Sequence, residues 1–481
     1  MKLHFVEEPA LTFHNQKQHV DIKAGLSLYG AYDKGGSSVP KPIRVGVVGT
    51  TATLDGVRDW LERCKQGVAS TEQKLKALRP SFPGMTDKVF GTSLEVSDAH
   101  TRTITRHELT EVLQSPKALL DIVETFLVHA KDLAAKSGLH VLIIAPPQEV
   151  FDLGDANRVQ AAPGDPPMDE TQELAPEQAA VMPASYNFHD LFKARALDLP
   201  IPCQLLRPDT YGSATDGARR RLQDKATMAW NFHTALYYKA GGVPWRLSKH
   251  PSQLATCYMG VSFFKSVTGE SLMTSVAQVF DERGEGLIVQ GGSASYDKDD
   301  RIPHLSEADA HSLLADGLAA YRREHKTSPA RLLMHKTSRF NEAEKKGFAA
   351  AAGDANLEVL DLVSVRRSGT RVLRSSAPMD RGAVLLFDDA SGIVYLKGTV
   401  PYFEIYPGAY IPRAVEFSRE SGEGHSAQLA AELVGLSKLN FNNTQFDAGD
   451  PITVRAARRV GDILKHVPID KKITSRFRYF T

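Results

Sequence analysis

The stretch Leu139–Ala145, LHVLIIA, is an almost uninterrupted apolar run, and it predicts a β-strand that is covered on both faces. Ile43–Gly49, IRVGVVG, is a second run of this kind earlier in the chain. Between them, Ser115-Pro116 is a typical helix start. Two apolar stripes at helical spacing predict helices there: Leu54, Val57, Leu61 and Cys64, then Leu119, Leu120, Val123, Phe126 and Leu127. Strand, helix, helix, strand is the order of an open parallel sheet.

The chain after this sheet contains an irregular segment and then regular structure again. Residues 154–185 are rich in Pro, Ala, Asp and Glu without periodicity, which predicts a flexible acidic insertion. A helix at about 188–197 and a strand near Gln204–Leu206 follow. A long helix then runs from about Asp216 to Lys239, and Gly241-Gly242 end it.

A different order of elements begins near residue 255. Strands are predicted first at Tyr258–Lys265, Leu272–Phe280 and Gly286–Gln290. Helices and strands then alternate: 306–325, Arg331–His335, 341–352, Leu357–Val363, Ala383–Phe387, Ile393–Lys397, 425–438 and 451–464. Three antiparallel strands followed by this alternation is the order of a ribonuclease-H-like domain. The predicted fold class is therefore α/β, a Rossmann-like domain followed by a ribonuclease-H-like domain.

The composition limits the class of protein. With 481 residues, the chain is long enough for two to four domains at about 150 residues each. Its net charge of +1 means that any polyanion must bind to a local cluster of cations, such as Arg219–Arg221, Arg322-Arg323, Arg366-Arg367 or Arg458-Arg459. The three cysteines have no CxxC spacing, which argues against a zinc ribbon. We expect a cytoplasmic protein without a membrane span, because there is no long apolar run and the N-terminal residues are charged.

Taken in order, these segments and the motif Gly25–Asp33 (GLSLYGAYD) resemble the Argonaute family, specifically short prokaryotic Argonautes with MID and PIWI domains but no N or PAZ domain. The resemblance is strongest over 186–265 and 425–481, and it is weaker but colinear over 1–150 and 330–400. It implies a lead-in segment at 1–40, a MID domain at 41–250 and a PIWI domain at 251–481.

The resemblance implies a MID pocket for the 5′-phosphate of a guide strand. The matching residues are His189 and Lys193 on one helix, Gln204 on the next strand and Lys239 at the end of the long helix. Lysines supply charge, the amide supplies a neutral hydrogen bond, and His189 stands where many relatives have a tyrosine that stacks on the first base. A second lysine of many relatives is replaced by Ala235, so one cation is missing unless Arg219–Arg221, Lys225 or a metal replaces it.

The chain ending Arg476–Thr481 (RFRYFT) is similar to the aromatic tail that, in many prokaryotic relatives, brings the terminal carboxylate to this pocket. The resemblance therefore implies that Thr481 helps to hold Mg²⁺ at the guide 5′-phosphate. Without a ligand, each residue also has an ordinary explanation. Lys239, for example, is a cation at a helix C-terminus, where the helix dipole favours it.

The positions of the PIWI catalytic carboxylates are degenerate in this chain. Ribonuclease-H chemistry needs clustered carboxylates that hold two divalent metal ions. The matching positions carry Ser262, Thr337 and Arg458, and neither hydroxyls nor a guanidinium can replace anionic ligands. We therefore expect no catalytic residue and no cleavage by this protein. Lys438, Asn440, Asn442, Asn443 and Arg458 are expected to contact guide or target along the PIWI groove.

The resemblance implies a guide-dependent sensor of a prokaryotic defence system. A short 5′-phosphorylated guide RNA would pair with single-stranded target DNA from an invader. An APAZ-domain partner with a sirtuin-like or TIR domain would then hydrolyse NAD. One alternative is a guided nuclease with displaced catalytic residues, which predicts metal-dependent cleavage by the isolated protein. Another is a metabolic α/β enzyme, but VGVVGTTAT after Arg44 is neither a GxGxxG motif nor a P-loop.

Overall fold

The computed structural model describes residues 1–71, 76–136, 138–155, 187–212, 224–248, 254–266, 272–280, 286–289, 291–296, 302–372, 374–375, 377–406, 408, 411–468, 471 and 476–481. The predicted acidic insertion lies outside the described residues except for its first two positions. The cluster Arg219–Arg221 also lies outside them. The long helix, predicted from about Asp216, begins only at Lys225, because Asp224 has a non-helical backbone and caps the helix.

The strands of the described residues, in chain order, are β1 (Lys2–Phe5), β2 (Leu11–Thr12), β3 (Gln18–His19), β4 (Ile43–Gly49), β5 (Leu94–Thr103), β6 (Val141–Ala145), β7 (Cys203–Leu205), β8 (Arg246–Leu247), β9 (Thr256–Lys265), β10 (Leu272–Phe280), β11 (Gly286–Val289), β12 (Ser295–Tyr296), β13 (Pro303–His304), β14 (Arg331–Lys336), β15 (Val359–Arg367), β16 (Ala383–Leu386), β17 (Ser391–Val394) and β18 (Val415–Ser421).

The α-helices, again in chain order, are α1 (Ile22–Tyr29), α2 (Thr51–Lys65), α3 (Arg106–Leu113), α4 (Ala118–Ala134), α5 (Gln148–Asp155), α6 (Phe188–Ala196), α7 (Pro208–Tyr211), α8 (Lys225–Lys239), α9 (Glu307–His325), α10 (Glu342–Asp354), α11 (Ser426–Leu436) and α12 (Ile452–Leu464). Among the described helices, none is long and apolar enough to cross a membrane.

The first large sheet is four-stranded and parallel, in the order β5-β4-β6-β7. Because side chains alternate along a strand, Val47 and Ile143 pack in one core with α2, whereas Ile144 packs in a second core with Phe126 of α4. The predicted strands β4 and β6 and the helices between them are confirmed. Leu120 is not part of the core, because it lies in the first turn of α4 and is exposed.

The second large sheet is nine-stranded, in the order β1-β16-β17-β18-β15-β14-β9-β10-β11. Strands β9, β14 and β15 run parallel in its middle, and β9, β10 and β11 form the predicted antiparallel meander. This is the order expected for a ribonuclease-H-like sheet, so the predicted α/β fold class is confirmed. The strand predicted at Ile393–Lys397 begins and ends earlier, at Ser391–Val394.

Eight of the described strands were not predicted from the sequence: β1, β2, β3, β5, β8, β12, β13 and β18. β5 (LEVSDAHTRT) and β18 (VEFSRES) are rich in polar residues, and both are partly exposed to solvent. β1 pairs with β16, which is far from it in sequence, and Lys2 lies opposite Leu386 in the pairing. Residues of the predicted lead-in segment therefore extend the nine-stranded sheet, and β2 and β3 form a three-stranded sheet with β8.

Helix α12 packs directly on the middle of the nine-stranded sheet. A Cβ atom on Gly260 of β9 would lie 2.0 Å from the Thr453 carbonyl oxygen, so only glycine permits this approach. On the neighbouring strand, the buried His335 places Nδ1 2.8 Å from the Thr453 hydroxyl oxygen. These contacts fix where the rest of α12 can lie.

We predict that Gly260→Ala destabilises the protein by about 1–3 kcal/mol, because the added methyl group must displace the α12 backbone. Thermal unfolding measures the effect. Gly353→Ala is the matched control: this residue lies in α10, is exposed and has no atom within 4 Å of the new methyl group. The control should be neutral or slightly stabilising. Equal unfolding temperatures for wild type and Gly260→Ala would contradict the packing described.

Candidate functional site

The predicted phosphate residues begin on α6. Asn187 is the N-cap of this helix, and its side-chain oxygen accepts a hydrogen bond from the Asp190 backbone at 2.8 Å. His189 follows the cap, and Lys193 lies one turn further on the same face. The cap therefore sets the start of the helix and, with it, the direction of both side chains.

Lys193 is buried, with 1% of its surface exposed. Its ammonium group donates to the Cys203 carbonyl oxygen at 2.5 Å and to the carbonyl oxygen of the C-terminal residue, Thr481. Burial and the nearby charge of Arg459 lower the pKa of Lys193 to about 8. The lysine thus joins α6 and β7 to the end of the chain, which is 288 residues away.

Lys239, the last residue of α8, is 2% exposed, and its ammonium group has no hydrogen-bond partner in the described part of the chain. Burial lowers its pKa well below the ordinary value, and the charge of Lys193 lowers it further. On β7, Gln204 donates to the Leu205 carbonyl oxygen at 2.9 Å, while its own buried amide oxygen is also unpartnered. Unsatisfied buried polar groups are rare in proteins, which makes the Lys239 ammonium group a candidate for ligand binding.

Arg459 of α12 also reaches this cluster, and sequence reasoning did not assign it there. One guanidinium nitrogen forms an ion pair with Asp190 at 3.1 Å, and another lies 2.7 and 3.2 Å from the two ring nitrogens of His189. Burial and the charge of Arg459 lower the pKa of His189 to about 4, so the ring is neutral at pH 7. Burial alone would raise the pKa of Asp190, but Arg459 and the hydrogen bonds of its neighbours hold it below its usual range.

The C-terminal tail completes the cluster. Phe477 and Phe480 are buried, and the Tyr479 hydroxyl donates to the Pro200 carbonyl oxygen at 2.7 Å. The tail brings Thr481, which is 8% exposed, against Lys193. The Thr481 oxygen that contacts Lys193 is a donor of the kind that Mg²⁺ combines with phosphate oxygens.

Two suggested replacements for the cation missing at Ala235 can now be compared with the structure. Lys225 lies at the other end of α8, and its ammonium group donates to the carbonyl oxygens of Asp209, Thr210 and Gly212. It therefore lies away from Lys239 and does not replace the missing cation. Arg219–Arg221 lies outside the described residues.

Two of the positions predicted to be degenerate, Ser262 and Thr337, lie near each other at the nine-stranded sheet. Lys336 and Val261 are opposite each other on β14 and β9, so Thr337 and Ser262 come next along the two strands. Strand alternation places both on the face of His335, which α12 covers. Arg458 of α12 forms an ion pair with Asp450 at 3.1 Å. Among the described residues, no cluster of His, Cys, Asp and Glu could hold a metal ion.

The predicted groove residues differ in their surroundings. Lys438 is buried, and its ammonium group donates to the Glu8 carboxylate at 2.8 Å and to the carbonyl oxygens of Pro9 and Val20. The prediction that Lys438 contacts nucleic acid in the groove needs correction, because its N–H groups donate to acceptors inside the protein. Asn440 is mostly buried, whereas Asn442 and Asn443 are partly exposed in the loop after α11. The roles of these asparagines and of Arg458 stay predictions.

Comparison with solved structures identifies the architecture. The Clostridium butyricum Argonaute bound to a guide DNA (5′ deoxycytidine) and a 19-mer target DNA is similar with a TM-score of 0.65, at 13% identity, over 98% of this chain and 53% of that one. The A. aeolicus Argonaute is similar with a TM-score of 0.57, also at 13% identity, over 99% and 54%. The chain has an Argonaute-like fold.

The two sheets correspond to the MID–PIWI architecture of Argonaute proteins. We refer to the four-stranded sheet with α6 and α8 as the MID part and to the nine-stranded sheet with α12 as the PIWI part. The chain spans about half the length of these two Argonautes. No protein-family model and no curated protein sequence matches it. The cluster around Lys193 is thus built from both parts of the Argonaute-like fold.

We predict that Lys239→Met raises the free energy of unfolding of the ligand-free protein by about 1–3 kcal/mol at neutral pH, because it removes an unsatisfied buried ammonium group. Lys239 binds a proton more weakly in the folded chain than in the unfolded one, so it makes stability rise with pH up to its ordinary pKa. In Lys239→Met, the free energy of unfolding should therefore rise less steeply with pH than in wild type. Denaturant unfolding at several pH values measures both effects.

The matched control is Lys193→Met, which removes a buried lysine that does have acceptors. It should lose stability, because the Cys203 and Thr481 oxygens are left without a donor. If Lys239→Met is less stable than wild type at neutral pH, the ammonium group has a partner in the free protein and the description of the cluster is wrong.

Proposed function

We propose that this protein is a guide-dependent nucleic-acid sensor that binds the 5′-phosphate of a short guide in the cluster formed by His189, Lys193, Gln204 and Lys239. The observation that carries the proposal is the buried ammonium group of Lys239, which lies beside Lys193 and has no hydrogen-bond partner among the described residues. The Clostridium butyricum Argonaute of similar fold binds a guide DNA and a target DNA. For this chain we propose a guide RNA and a single-stranded target DNA.

The charges of the cluster support an anionic ligand. Lys193, Lys239 and Arg459 can contribute three positive charges, whereas Asp190 and the terminal carboxylate contribute two negative ones, and Asp190 is already paired with Arg459. A buried charge without a counter-charge is unfavourable, and it becomes favourable when an anion supplies hydrogen-bond acceptors. A terminal phosphate supplies both the negative charge and several acceptors.

The other residues of the cluster have distinct roles in this proposal. Gln204 contributes a neutral hydrogen bond to the terminal nucleotide, and His189 supports its base. We also propose that the Thr481 carboxylate holds Mg²⁺ at the guide 5′-phosphate. The ion, when bound, would neutralise phosphate charge next to the carboxylate, which otherwise contacts Lys193. The side chains of the protein itself then bind and orient the guide end.

We further propose that the protein does not cleave the target. Support comes from the residues at the degenerate positions, Ser262, Thr337 and Arg458, and from the ion pair between Arg458 and Asp450. The guanidinium of Arg458 would repel a divalent metal ion at that position. Together with Asn440, Asn442 and Asn443, it would instead contact the sugar-phosphate backbone of the guide–target duplex.

Output from such a sensor would require a second protein. On the strength of the sequence resemblance, we propose an APAZ-domain partner with a sirtuin-like or TIR domain that hydrolyses NAD once the target is paired. In this proposal the pair acts in prokaryotic antiviral defence in the cytoplasm. Base pairing would supply the sequence specificity, while the protein recognises the end and the backbone of the guide.

We predict that the full-length protein binds a 5′-phosphorylated RNA about 10- to 100-fold more tightly than the same RNA with a 5′-hydroxyl in the presence of Mg²⁺. The preference should be lost in Lys239→Met and in the double variant His189→Ala/Lys193→Ala. Fluorescence anisotropy with end-labelled RNA measures it. Lys345→Ala, which removes a surface lysine paired with Glu342, should keep the preference. Equal affinity of wild type for both RNAs would reject the pocket.

We also predict that the affinity for the 5′-phosphorylated RNA falls as the pH rises through about 8. In the free protein, Lys193 loses its proton near this pH, since its pKa is about 8. Above this pH, Lys193 must be protonated again when the RNA binds, which weakens binding. Below about pH 6 the affinity should fall as well, because a terminal phosphate loses its second negative charge. The hydroxyl RNA serves as the control and should show neither change. A constant preference from about pH 7 to about pH 9 would contradict the role of Lys193.

A further inference from the structure

β1 forms one edge of the nine-stranded sheet, and its outer side has unpaired backbone groups. Val6, just after β1, donates its backbone N–H to the Gly382 carbonyl oxygen at 2.8 Å. Neighbouring residues of a strand turn their N–H and C=O groups to opposite sides. The even-numbered residues of β1 therefore face β16, whereas the backbone groups of Leu3 and Phe5 point outward. In the described part of the chain, no strand pairs with this outer side.

The side chains at this edge are apolar and exposed. Leu3 is 70% exposed and Phe5 is 46% exposed, and strand alternation places both on one face of the sheet. Phe387, which follows β16, is 36% exposed. Proteins usually protect a strand edge with charged residues or cover it with another segment. An exposed apolar edge with free backbone groups therefore indicates a place where another strand pairs.

Two other sheet edges show such protection. At the opposite end of the nine-stranded sheet, an isolated bridge joins Leu287 of β11 to Arg476 of the C-terminal tail. In the four-stranded sheet, the edge strand β5 carries the charged residues Asp98 and Arg102, and each forms an ion pair. β1 differs from both, since its outer side is neither covered by a described segment nor lined by ion pairs.

We propose that β1 of one copy pairs antiparallel with β1 of a second copy of this chain, about a twofold axis at His4. Leu3 of each copy then lies opposite Phe5 of the other copy. Two residues opposite each other in a hydrogen-bonded pair exchange two N–H···O bonds. The pairing therefore forms four backbone hydrogen bonds and joins the two nine-stranded sheets into one.

The sequence around β1 is complementary to itself in this arrangement, which favours a second copy over a different protein. On one face, Leu3 of each copy meets Phe5 of the other, and such cross-strand pairs stabilise a sheet. The exposed Lys2 lies opposite Val6 of the other copy and beside its exposed Glu7, so opposite charges meet at both ends. A shift by one residue would place outward backbone groups opposite inward ones, so the register is fixed.

Disulfide cross-linking of the full-length variant His4→Cys tests the position of the axis. In the proposed register, the two residues at position 4 form a non-hydrogen-bonded pair with Cα atoms about 4.5 Å apart, within the range of about 4.4–6.8 Å that a disulfide spans. Lys2→Cys is the matched control. Lys2 is exposed on the same face of the same strand, but its two Cα atoms would be about 13 Å apart.

The three natural cysteines are buried, so cross-linking reports on the introduced position. Under mild oxidation with diamide, we expect about 10-fold more covalent dimer from His4→Cys than from Lys2→Cys. Equal yields from the two variants would overturn the proposal, since they would indicate random collisions.

Sedimentation velocity over a range of protein concentrations measures the dimer itself. A strand pair of this length buries less than the roughly 1,200–2,000 Å² of a stable interface, so we expect a weak dimer with a micromolar dissociation constant. Leu3→Lys/Phe5→Lys places like charges opposite each other and should raise this constant about 10-fold or more. Leu28→Lys is the matched control, because Leu28 is 63% exposed but lies on α1. It should dimerise like wild type.

Every outcome decides the question, and none depends on nucleic acid or on the proposed function. A wild type that stays monomeric at about 100 µM would overturn the homodimer and leave this edge to a strand of another protein. A dimer that persists unchanged in Leu3→Lys/Phe5→Lys would also overturn it, since the copies would then meet elsewhere. If thermal unfolding shows that this double variant does not fold, the comparison of His4→Cys with Lys2→Cys decides, because both variants keep the apolar residues.

Discussion

The contact between α12 and the middle of the nine-stranded sheet is the constraint on which the candidate site depends. Gly260 lets the α12 backbone approach β9, and the side chains of His335 and Thr453 fix the helix along its axis. With α12 held there, Arg459 reaches α6 of the MID part. The position of Arg459 in the cluster therefore depends on this packing.

In the proposed function, the cluster around Lys193 binds its ligand at a cost in the stability of the ligand-free protein. Burying Lys239 without an acceptor costs free energy in the ligand-free protein, and the positive charges of Lys193 and Arg459 add to the cost. The same arrangement would favour the binding of an anion, because the hydrogen-bond donors are already in place. In addition, the buried ammonium group has little bound water to lose. Proteins commonly accept such local instability at functional sites.

The buried carboxylates of the PIWI part show the opposite pattern. Glu344 accepts hydrogen bonds from Lys336 at 2.6 and 2.7 Å and lies 3.0 Å from His304, and Asp361 pairs with Arg331 at 2.7 Å. Each carboxylate thus has a cationic or hydrogen-bonding partner that leaves little capacity for a metal ion. Such buried pairs add specificity to the fold more reliably than they add stability. The buried charges at the centre of this sheet are thus paired, whereas Lys239 in the cluster around Lys193 has no hydrogen-bond partner among the described residues.

The sequence predicts the elements that depend on local patterns, but not the contacts between residues that are distant in sequence. β4, β6 and α12 follow from local apolar patterns, and the lysines of the pocket lie at recognisable positions near helix ends. β1 and β5 could not be predicted, since their pairing with distant strands decides their structure rather than their own composition. Arg459 is the clearest case: the Arg458-Arg459 doublet marks a basic helix, but His189 lies 270 residues away in sequence. A local pattern predicts that a helix carries a cation, whereas the packing of α12 on Gly260 determines which of two adjacent arginines reaches His189 and Asp190.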